Sequence, residues 1–293
     1  MNIEKAKNTV WELGKKSVMT PDEEFTYIES LEFLIDETKD TDYMTQLGGY
    51  YYGKKIYDLA LKYYEMADTY GDKWAAEGLG YIWYYGRTGE VDYEKAFKYY
   101  SKAADNGYLQ AKIKVADMYK NGYYVDKDYD KYCRIIEHAK KDVENTRELF
   151  DPLPEVYTRL ARIRKQQGRI EEAVDLYMEV KWFLAQRIRY SQFFGDLNVM
   201  KWTVEDLYSM IPFDETDFDL YDLYWLLRKP VKVTFRYKGK KYEIESSQDE
   251  GKMAVRFEDK WFRTVDDFFN KAVIDGKLLI VVYRDLYGFG VIH

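Results

Sequence analysis

The most informative stretch of the chain is residues 79–107, which reads LGYIWYYGRTGEVDYEKAFKYYSKAADNG. Leu79 and Trp83 are one helical turn apart, so they lie on the same face of a predicted helix. Gly86 is suited to end that helix, because glycine readily adopts the left-handed conformation that follows a helix C-terminus. Asp92 is suited to begin another, since an aspartate at an N-cap accepts hydrogen bonds from free backbone N–H groups. The stretch therefore predicts two consecutive helices.

The same pattern returns along the chain with a period of 36 residues. The corresponding positions are Tyr63, Tyr99 and Ile135; Ala67, Ala103 and Ala139; Gly71 and Gly107; Ala75 and Ala111; Gly86 and Gly122; and Asp92 and Asp128. A spacing that holds at apolar, small and glycine positions together indicates stacked helical repeats. Such an array needs a cap at each end, because a single repeat cannot bury its own apolar face.

Residues 79–107 resemble a SEL-one-like repeat, and the resemblance extends to residues 111–140 and to residues 43–75, where the loop between the helices is shorter. A fourth unit resembles the related tetratricopeptide repeat, although it has Arg164 where a tyrosine is usual and lacks a closing proline. Its matching positions are Tyr157, Leu160, Ala161, Ala173, Tyr177 and Val180. The resemblance implies an α-α superhelix, a solenoid that presents the first helix of each unit on a concave surface.

Four segments are predicted from this organisation. They are an N-terminal helical cap at 1–42, the repeats at 43–190, a helical C-cap or linker at 191–228, and a small α+β domain at 229–293. In the N-terminal cap, Thr20 and Glu23 form a capping box around Pro21, and an apolar face follows that includes Phe25. In the C-cap, Trp202 and Asp217 each stand near the start of a predicted short helix.

The last segment changes from helical to alternating periodicity at Pro230. Val231 to Tyr237 alternate apolar and polar residues, which predicts a strand with one buried face. Further hairpins are expected around Lys238-Gly239 and around Glu258-Asp259, and a helix capped by Thr264 follows. The apolar run Leu278 to Tyr283 is expected to form a buried strand. The predicted fold class is therefore mainly α, with a solenoid followed by a small C-terminal α+β domain.

Composition narrows the classes of function. The 293 residues carry a formal net charge of −7, which argues against binding nucleic acid or an anionic membrane. Residues 1–16 have charges of both signs and no apolar segment, so no signal peptide is expected. The single cysteine, Cys133, cannot form an internal disulfide. We expect a cytoplasmic protein.

The sequence offers little chemistry for catalysis. Cys133 and His138 are five residues apart, which does not place them on one helical face. We find no zinc-ligand spacing, phosphate-binding glycine loop or serine-centred motif, so neither a cofactor nor a metal is expected. Carboxylates are plentiful, and a catalytic pair among them stays open. The sequence favours a non-enzymatic protein.

Two sets of residues are candidates for partner binding. The first stands on the first helices of the repeats, where the resemblance implies the concave surface; its members are Tyr50, Tyr52, Ile82, Tyr85, Asp117 and Met118. The second is the basic run Arg159, Arg162 and Lys165. In tetratricopeptide proteins, basic side chains on the corresponding helix can hold a peptide carboxylate, and Arg162 and Lys165 fall at such positions. The alternative for the first set is scattered exposed aromatic side chains without a binding role. The alternative for the second is a solvated face balanced by Glu171 and Glu172.

These observations favour an adaptor that binds a protein or peptide, with an acidic segment or a free C-terminus as the predicted partner of the basic run. The alternative is an inhibitor or immunity-type protein that neutralises its partner through an acidic surface. Residues 229–293 carry 13 basic and 10 acidic groups. The preceding 228 residues therefore hold 32 basic and 42 acidic groups, which gives them a net charge of −10. That charge motivates the second hypothesis.

Overall fold

A computed structural model of the chain describes residues 1–146, 148, 151–191, 194–249 and 252–292. The chain divides into two compact units, Met1–Ile135 and Ile136–His293, which are described separately below. The chain is mainly helical, with a small sheet in its C-terminal part, as the sequence predicts.

The first unit is built from consecutive helices that pack on one another in chain order. Their bounds are α1 (Ile3–Gly14), α2 (Pro21–Thr38), α3 (Thr41–Gly53), α4 (Tyr57–Thr69), α5 (Ala75–Tyr84), α6 (Tyr93–Asp105) and α7 (Leu109–Asn121). The unit boundary falls inside α8 (Tyr129–Thr146). Helices α4, α6 and α8 begin at 36-residue intervals, which confirms the predicted period.

Local signals place these helix ends where the sequence predicts them. The side chain of Asp92 accepts a hydrogen bond from the backbone N–H of Lys95 at 2.9 Å and so caps α6. Gly86 follows α5 with φ of +58°, and a Cβ there would lie 2.9 Å from the backbone nitrogen of Val91. Only glycine fits this turn, because an added side chain would meet backbone atoms in a conformation that L-residues rarely adopt.

Small residues let the helices of the first unit approach closely. A Cβ added to Gly80 of α5 would come within 2.6 Å of the ring of Tyr100, which is fully buried on α6. Ala96 and Ala103 of α6 and Ala111 of α7 are also fully buried. The repeated small positions are therefore the places where neighbouring helices touch.

The N-terminal cap forms the predicted capping box, in which Thr20 accepts from the N–H of Glu23 and Glu23 accepts from the N–H of Thr20. Leu31 and Leu34 lie in the core, but Phe25 is 68% exposed, so the predicted apolar face is narrower than expected. Helix α1 adds a further element, which buries Ala6 and Val10.

The helical part of the second unit includes α9 (Leu153–Gln166), α10 (Ile170–Ser191), α11 (Phe194–Tyr208) and α12 (Leu223–Leu226). The positions assigned to the fourth repeat are buried, as its resemblance implies; they are Tyr157, Leu160, Ala161, Ala173, Tyr177 and Val180. The prediction that a short helix begins near Trp202 is wrong, since that residue lies inside the continuous helix α11. The helix expected after Asp217 is the single turn α12, which starts several residues later.

The C-terminal sheet contains β1 (Val231–Tyr237), β2 (Lys240–Asp249), β3 (Lys252–Phe257), β4 (Lys260–Phe262) and β7 (Leu286–Ile292). Its order is β4-β3-β2-β1-β7, and β1 pairs antiparallel with both β2 and β7. In that register Val233 stands opposite Ile244 and Val291. The strand and its alternating burial agree with the sequence pattern.

A short helix packs on the apolar side of this sheet. It is α13 (Val265–Lys271), and Thr264 caps it by accepting from the N–H of Asp267 at 3.0 Å. The predicted strand at residues 278–283 is wrong. The small hairpin of β5 (Val273–Ile274) and β6 (Lys277–Leu278) is followed by turns that bury Leu279 and Ile280. Burial in compact turns produces the same apolar run as a buried strand.

Candidate partner-binding site

A groove with a volume of about 420 Å³ lies in the first unit, beside α3, α4 and α5. The residues that line it are Thr45, Tyr52, Tyr64, Trp74, Glu77, Gly78 and Tyr81. Four of the seven are aromatic, and the single charged one is acidic. We refer to this set of residues as the aromatic groove.

Two glycines admit the ring of Tyr64 into the groove. A Cβ at Gly48 of α3 would lie 2.8 Å from this ring, and a Cβ at Gly78 of α5 would lie 2.7 Å from it. The ring of a residue on α4 is therefore held between the backbones of two other helices. Burial raises the pKa of the Tyr64 hydroxyl to about 12, so this side chain stays neutral at physiological pH.

Trp74 stands at the start of α5 and is 61% exposed. The carboxylate of the buried Asp72 accepts hydrogen bonds from the backbone N–H groups of Trp74 and Ala75, both at 2.7 Å. The ring of Tyr108 packs edge-on against the indole, with the two centroids 4.1 Å apart. A large aromatic surface is thus exposed and also fixed in position.

Glu77 is the half-buried carboxylate of the aromatic groove. Burial raises its pKa, and the positive charge of Lys114 opposes that shift. Within residues 1–135, all of which the structure describes, no hydrogen bond or ion pair reaches the carboxylate. Glu77 therefore exposes to the groove a carboxylate that interacts with Lys114 through space but has no contact partner within these residues.

Two basic residues contact Tyr52, which lines the groove, and Tyr85, which lies beside it. The Nζ of Lys114 donates to the hydroxyl of Tyr85 at 2.8 Å. The Nε of Arg87 donates to the hydroxyl of Tyr52 at 3.2 Å, and its guanidinium lies 5.1 Å from the ring centroid of Tyr85. Both cations thus contact aromatic side chains, and neither forms a hydrogen bond or a contact ion pair with Glu77.

This arrangement has features that are typical of binding sites. The groove combines rigid apolar surface with a few polar groups, as ligand and peptide sites do. Among the residues that the structure describes, no group of three or more His, Cys, Asp and Glu side chains could hold a metal ion. His138 is exposed on α8, as expected from its alignment with Lys102.

The structure brings two of the predicted residues together. Tyr52 lines the aromatic groove, Tyr85 is 41% exposed beside it, and Arg87 connects the two. Tyr50 instead packs against Tyr27 of α2, with ring centroids 5.6 Å apart. Asp117 is half-buried on α7 and does not line the groove.

The prediction that Ile82 and Met118 lie on a binding surface is wrong, because both side chains are fully buried in the helical core. Successive helical residues are rotated by about 100°, so Ile82 points well away from the face shared by Tyr81 and Tyr85. Met118 follows Asp117 directly, so the same rotation turns its side chain from the half-buried side of α7 into the core. Neither side chain can contact a partner while the unit is folded.

The three side chains of the predicted basic run form hydrogen bonds with groups of the same chain. Arg162 donates to Asp206 of α11 at 3.0 Å, and Lys165 donates to Ser209 at 2.9 Å. The guanidinium of Arg159 donates to the carbonyl of Glu155 at 2.7 Å. The run therefore makes contacts within the second unit.

Sequence reasoning missed six residues of the aromatic groove and the two cations beside it. The six are Thr45, Tyr64, Trp74, Glu77, Gly78 and Tyr81, and the cations are Arg87 and Lys114. One signal was present. Trp74, Gly78, Tyr81 and Tyr85 follow each other at intervals of three or four residues, which places them on one face of α5. The contribution of Tyr64 could not be found this way, because it depends on contacts with two other helices.

A larger depression of about 750 Å³ lies beside α1 and α2. Apart from Leu13, the side chains that line it are polar or charged. It therefore lacks the aromatic surface that distinguishes the groove.

None of the described helices is sufficiently long and apolar to pass through a bilayer.

Comparisons with known proteins agree with the repeat pattern. No family model matches the chain. The chain is 39% identical over 87 residues to Protein sel-1 homolog 2 of Mus musculus, a match that spans 29% of this chain and 13% of the mouse protein.

Two solved structures have a similar arrangement of helices. A Sel1 repeat protein from Oxalobacter formigenes matches with a TM-score of 0.51 and 21% identity, over 76% of this chain and 82% of that protein. A protective antigen with an SLR fold from uropathogenic Escherichia coli matches with a TM-score of 0.45 and 17% identity, over 65% of this chain and 46% of the antigen. The 36-residue period, the buried small positions and the likeness to the Oxalobacter formigenes structure agree on the fold, an α-solenoid whose repeats are similar to SEL-one-like repeats.

Proposed function

We propose that this protein is a non-enzymatic interaction scaffold that binds a partner protein in the aromatic groove of its first unit. The observation that supports this proposal is the groove itself, in which Trp74 is exposed but held by Asp72 and Tyr108. An exposed aromatic side chain that is already rigid loses little conformational entropy on binding. SEL-one-like repeats commonly serve as scaffolds for protein interactions, which agrees with this role.

Quantitative capture from native extract tests the proposal. The whole chain is compared with Trp74→Ala, and with Trp182→Ala as a matched control, because Trp182 is equally exposed at 61% but belongs to the second unit. We expect Trp74→Ala to lose a specific partner that the control retains. Equal capture by both variants would overturn the groove assignment.

The acidic peptide or free C-terminus predicted for Arg162 and Lys165 is a weaker proposal. A planar guanidinium suits a carboxylate, but Asp206 already contacts Arg162, so an incoming carboxylate must displace it. The inhibitor hypothesis draws on the net charge of −10 in residues 1–228. It predicts a basic partner, whose capture weakens as salt is raised.

A further inference from the structure

The carboxylate of Glu77 marks a binding site for a cation within the aromatic groove, a role that rests on the proposed function. A half-buried charge loses hydration, and proteins usually compensate by pairing it or forming hydrogen bonds. Neither compensation is present for Glu77 within residues 1–135, where every residue is described. Lys114 offsets this charge only in part and from a distance, so a cation bound in contact with Glu77 would neutralise it further.

The aromatic side chains around this carboxylate add to its attraction for a cation. Tyr52, Tyr64, Trp74 and Tyr81 line the same cavity as Glu77. The face of an aromatic ring carries negative potential, and a cation placed over it is stabilised. Carboxylate and rings therefore favour the same sign of charge in the occupant.

The cations of the chain near the groove already have other contacts. Lys114 donates to Tyr85, and Arg87 donates to Tyr52. The ammonium of Lys114 also lies 5.1 to 5.3 Å from the ring centroids of three tyrosines, Tyr81, Tyr84 and Tyr85. These contacts show that the tyrosines of this surface accept cations, whereas Lys114 acts on Glu77 only through space and forms no ion pair with it.

We propose that the aromatic groove binds an arginine side chain from an extended segment of a partner protein. The guanidinium would pair with the two oxygens of Glu77, and its plane would stack on the aromatic rings. Arginine fits better than lysine, because its planar fork forms two parallel hydrogen bonds with a carboxylate and also stacks on aromatic faces. The net charge of −10 in residues 1–228 favours such a partner.

The test uses the whole chain and two tripeptides, acetyl-Gly-Arg-Gly-amide and the same peptide with citrulline. Citrulline has nearly the shape of arginine but is neutral, so the pair isolates the charge. Binding is followed by NMR through the indole N–H signal of Trp74, which is assigned with Trp74→Phe. We expect the arginine peptide to bind at least about tenfold more tightly than the citrulline peptide, since a hydrogen bond to a charged group contributes that much.

Glu77→Gln is the decisive variant, because it removes the charge while keeping the shape of the side chain. It should weaken binding of the arginine peptide by about tenfold and abolish the difference from citrulline. The matched control is Glu90→Gln, which removes an exposed charge outside the groove and should bind as the unchanged protein does. Circular dichroism verifies that both variants are folded.

Three results would overturn the proposal: no shift of the Trp74 signal, equal binding of both peptides, or unchanged binding by Glu77→Gln. A lysine peptide that binds as tightly as the arginine peptide would overturn the choice of arginine. Failure here is distinguishable from failure of the scaffold role. If partner capture still depends on Trp74 while the arginine peptide does not bind, the groove recognises a different group.

Discussion

At the scale of single residues, the contact between Gly80 and Tyr100 sets the distance between α5 and α6. A Cβ at position 80 would lie 2.6 Å from the buried ring, and the ring has no exposed side toward which it can shift. We predict that Gly80→Ala lowers the free energy of unfolding by about 1 to 3 kcal/mol, as overpacking of a core does. Urea denaturation followed by circular dichroism measures this difference.

Gly53→Ala is the control for that prediction. Gly53 ends α3, and an added Cβ would meet no atom within 4 Å. Alanine there should be neutral or stabilise by up to about 1 kcal/mol, because it restricts the unfolded chain more than glycine does. Equal losses of stability in both variants would show that the close approach of Gly80 to Tyr100 is unimportant.

Glu77 gives a prediction that depends on pH. Burial raises its pKa in the folded state above the ordinary value of 4.5, so the folded chain binds the proton more tightly than the unfolded chain. The carboxylate therefore destabilises the fold increasingly as pH rises from that ordinary value to the raised pKa, and the loss of stability is constant above it. We predict that Glu77→Gln is more stable than the unchanged protein at about pH 7 and equally stable at about pH 4.

Urea denaturation at the two pH values measures this effect, with Glu90→Gln as the exposed control. The control should stay within about 0.5 kcal/mol of the unchanged protein at both. A Glu77→Gln variant that is less stable at neutral pH would mean that the carboxylate has a stabilising contact, and the proposed cation site would lose its basis.

At the scale of helices and strands, the repeat could be predicted because its signals are local. Asp92 and Gly86 act through neighbouring residues, so their roles can be read from the sequence. The contribution of Tyr64 to the aromatic groove could not be predicted, since its ring depends on glycines in two other helices. The apolar run at residues 278–283 was misread because burial in turns and burial in a strand give the same composition.

The contact between α9 and α11 determines whether Arg162 of the basic run is free to bind an acidic peptide. Asp206 of α11 accepts hydrogen bonds from Arg162 at 3.0 Å and from the hydroxyl of Tyr177 at 2.9 Å. While that carboxylate is in place, Arg162 should not bind an acidic peptide. We predict that Asp206→Asn increases binding of a glutamate-rich peptide with a free C-terminus by about tenfold, because it releases the guanidinium.

Fluorescence anisotropy with a labelled peptide measures this gain. Arg162→Ala combined with Asp206→Asn should remove it, which distinguishes the released guanidinium from a general change in charge. Tight binding by the unchanged protein that is lost in Arg162→Ala would contradict this prediction. It would restore the basic run as a site for acidic partners.

At the scale of the whole molecule, the net charge of −7 and the single carboxylate of Glu77 should affect different steps of binding. Long-range charge attracts a basic partner during approach, so it acts mainly on the association rate. A paired charge inside the groove acts mainly on the dissociation rate. The two contributions can be separated with variants that change one and leave the other.

The relevant comparison uses a glycine peptide containing three arginines and stopped-flow kinetics. Glu29→Lys combined with Glu90→Lys changes two exposed positions outside the aromatic groove and brings the formal charge from −7 to −3. We predict slower association with unchanged dissociation for this variant, and the difference should vanish at high salt, because screening suppresses long-range charge. Glu77→Gln should show the reverse, with faster dissociation at every salt concentration. If the surface variant also dissociates faster, recognition is spread over the acidic surface, and the inhibitor hypothesis describes the protein better than a specific groove does.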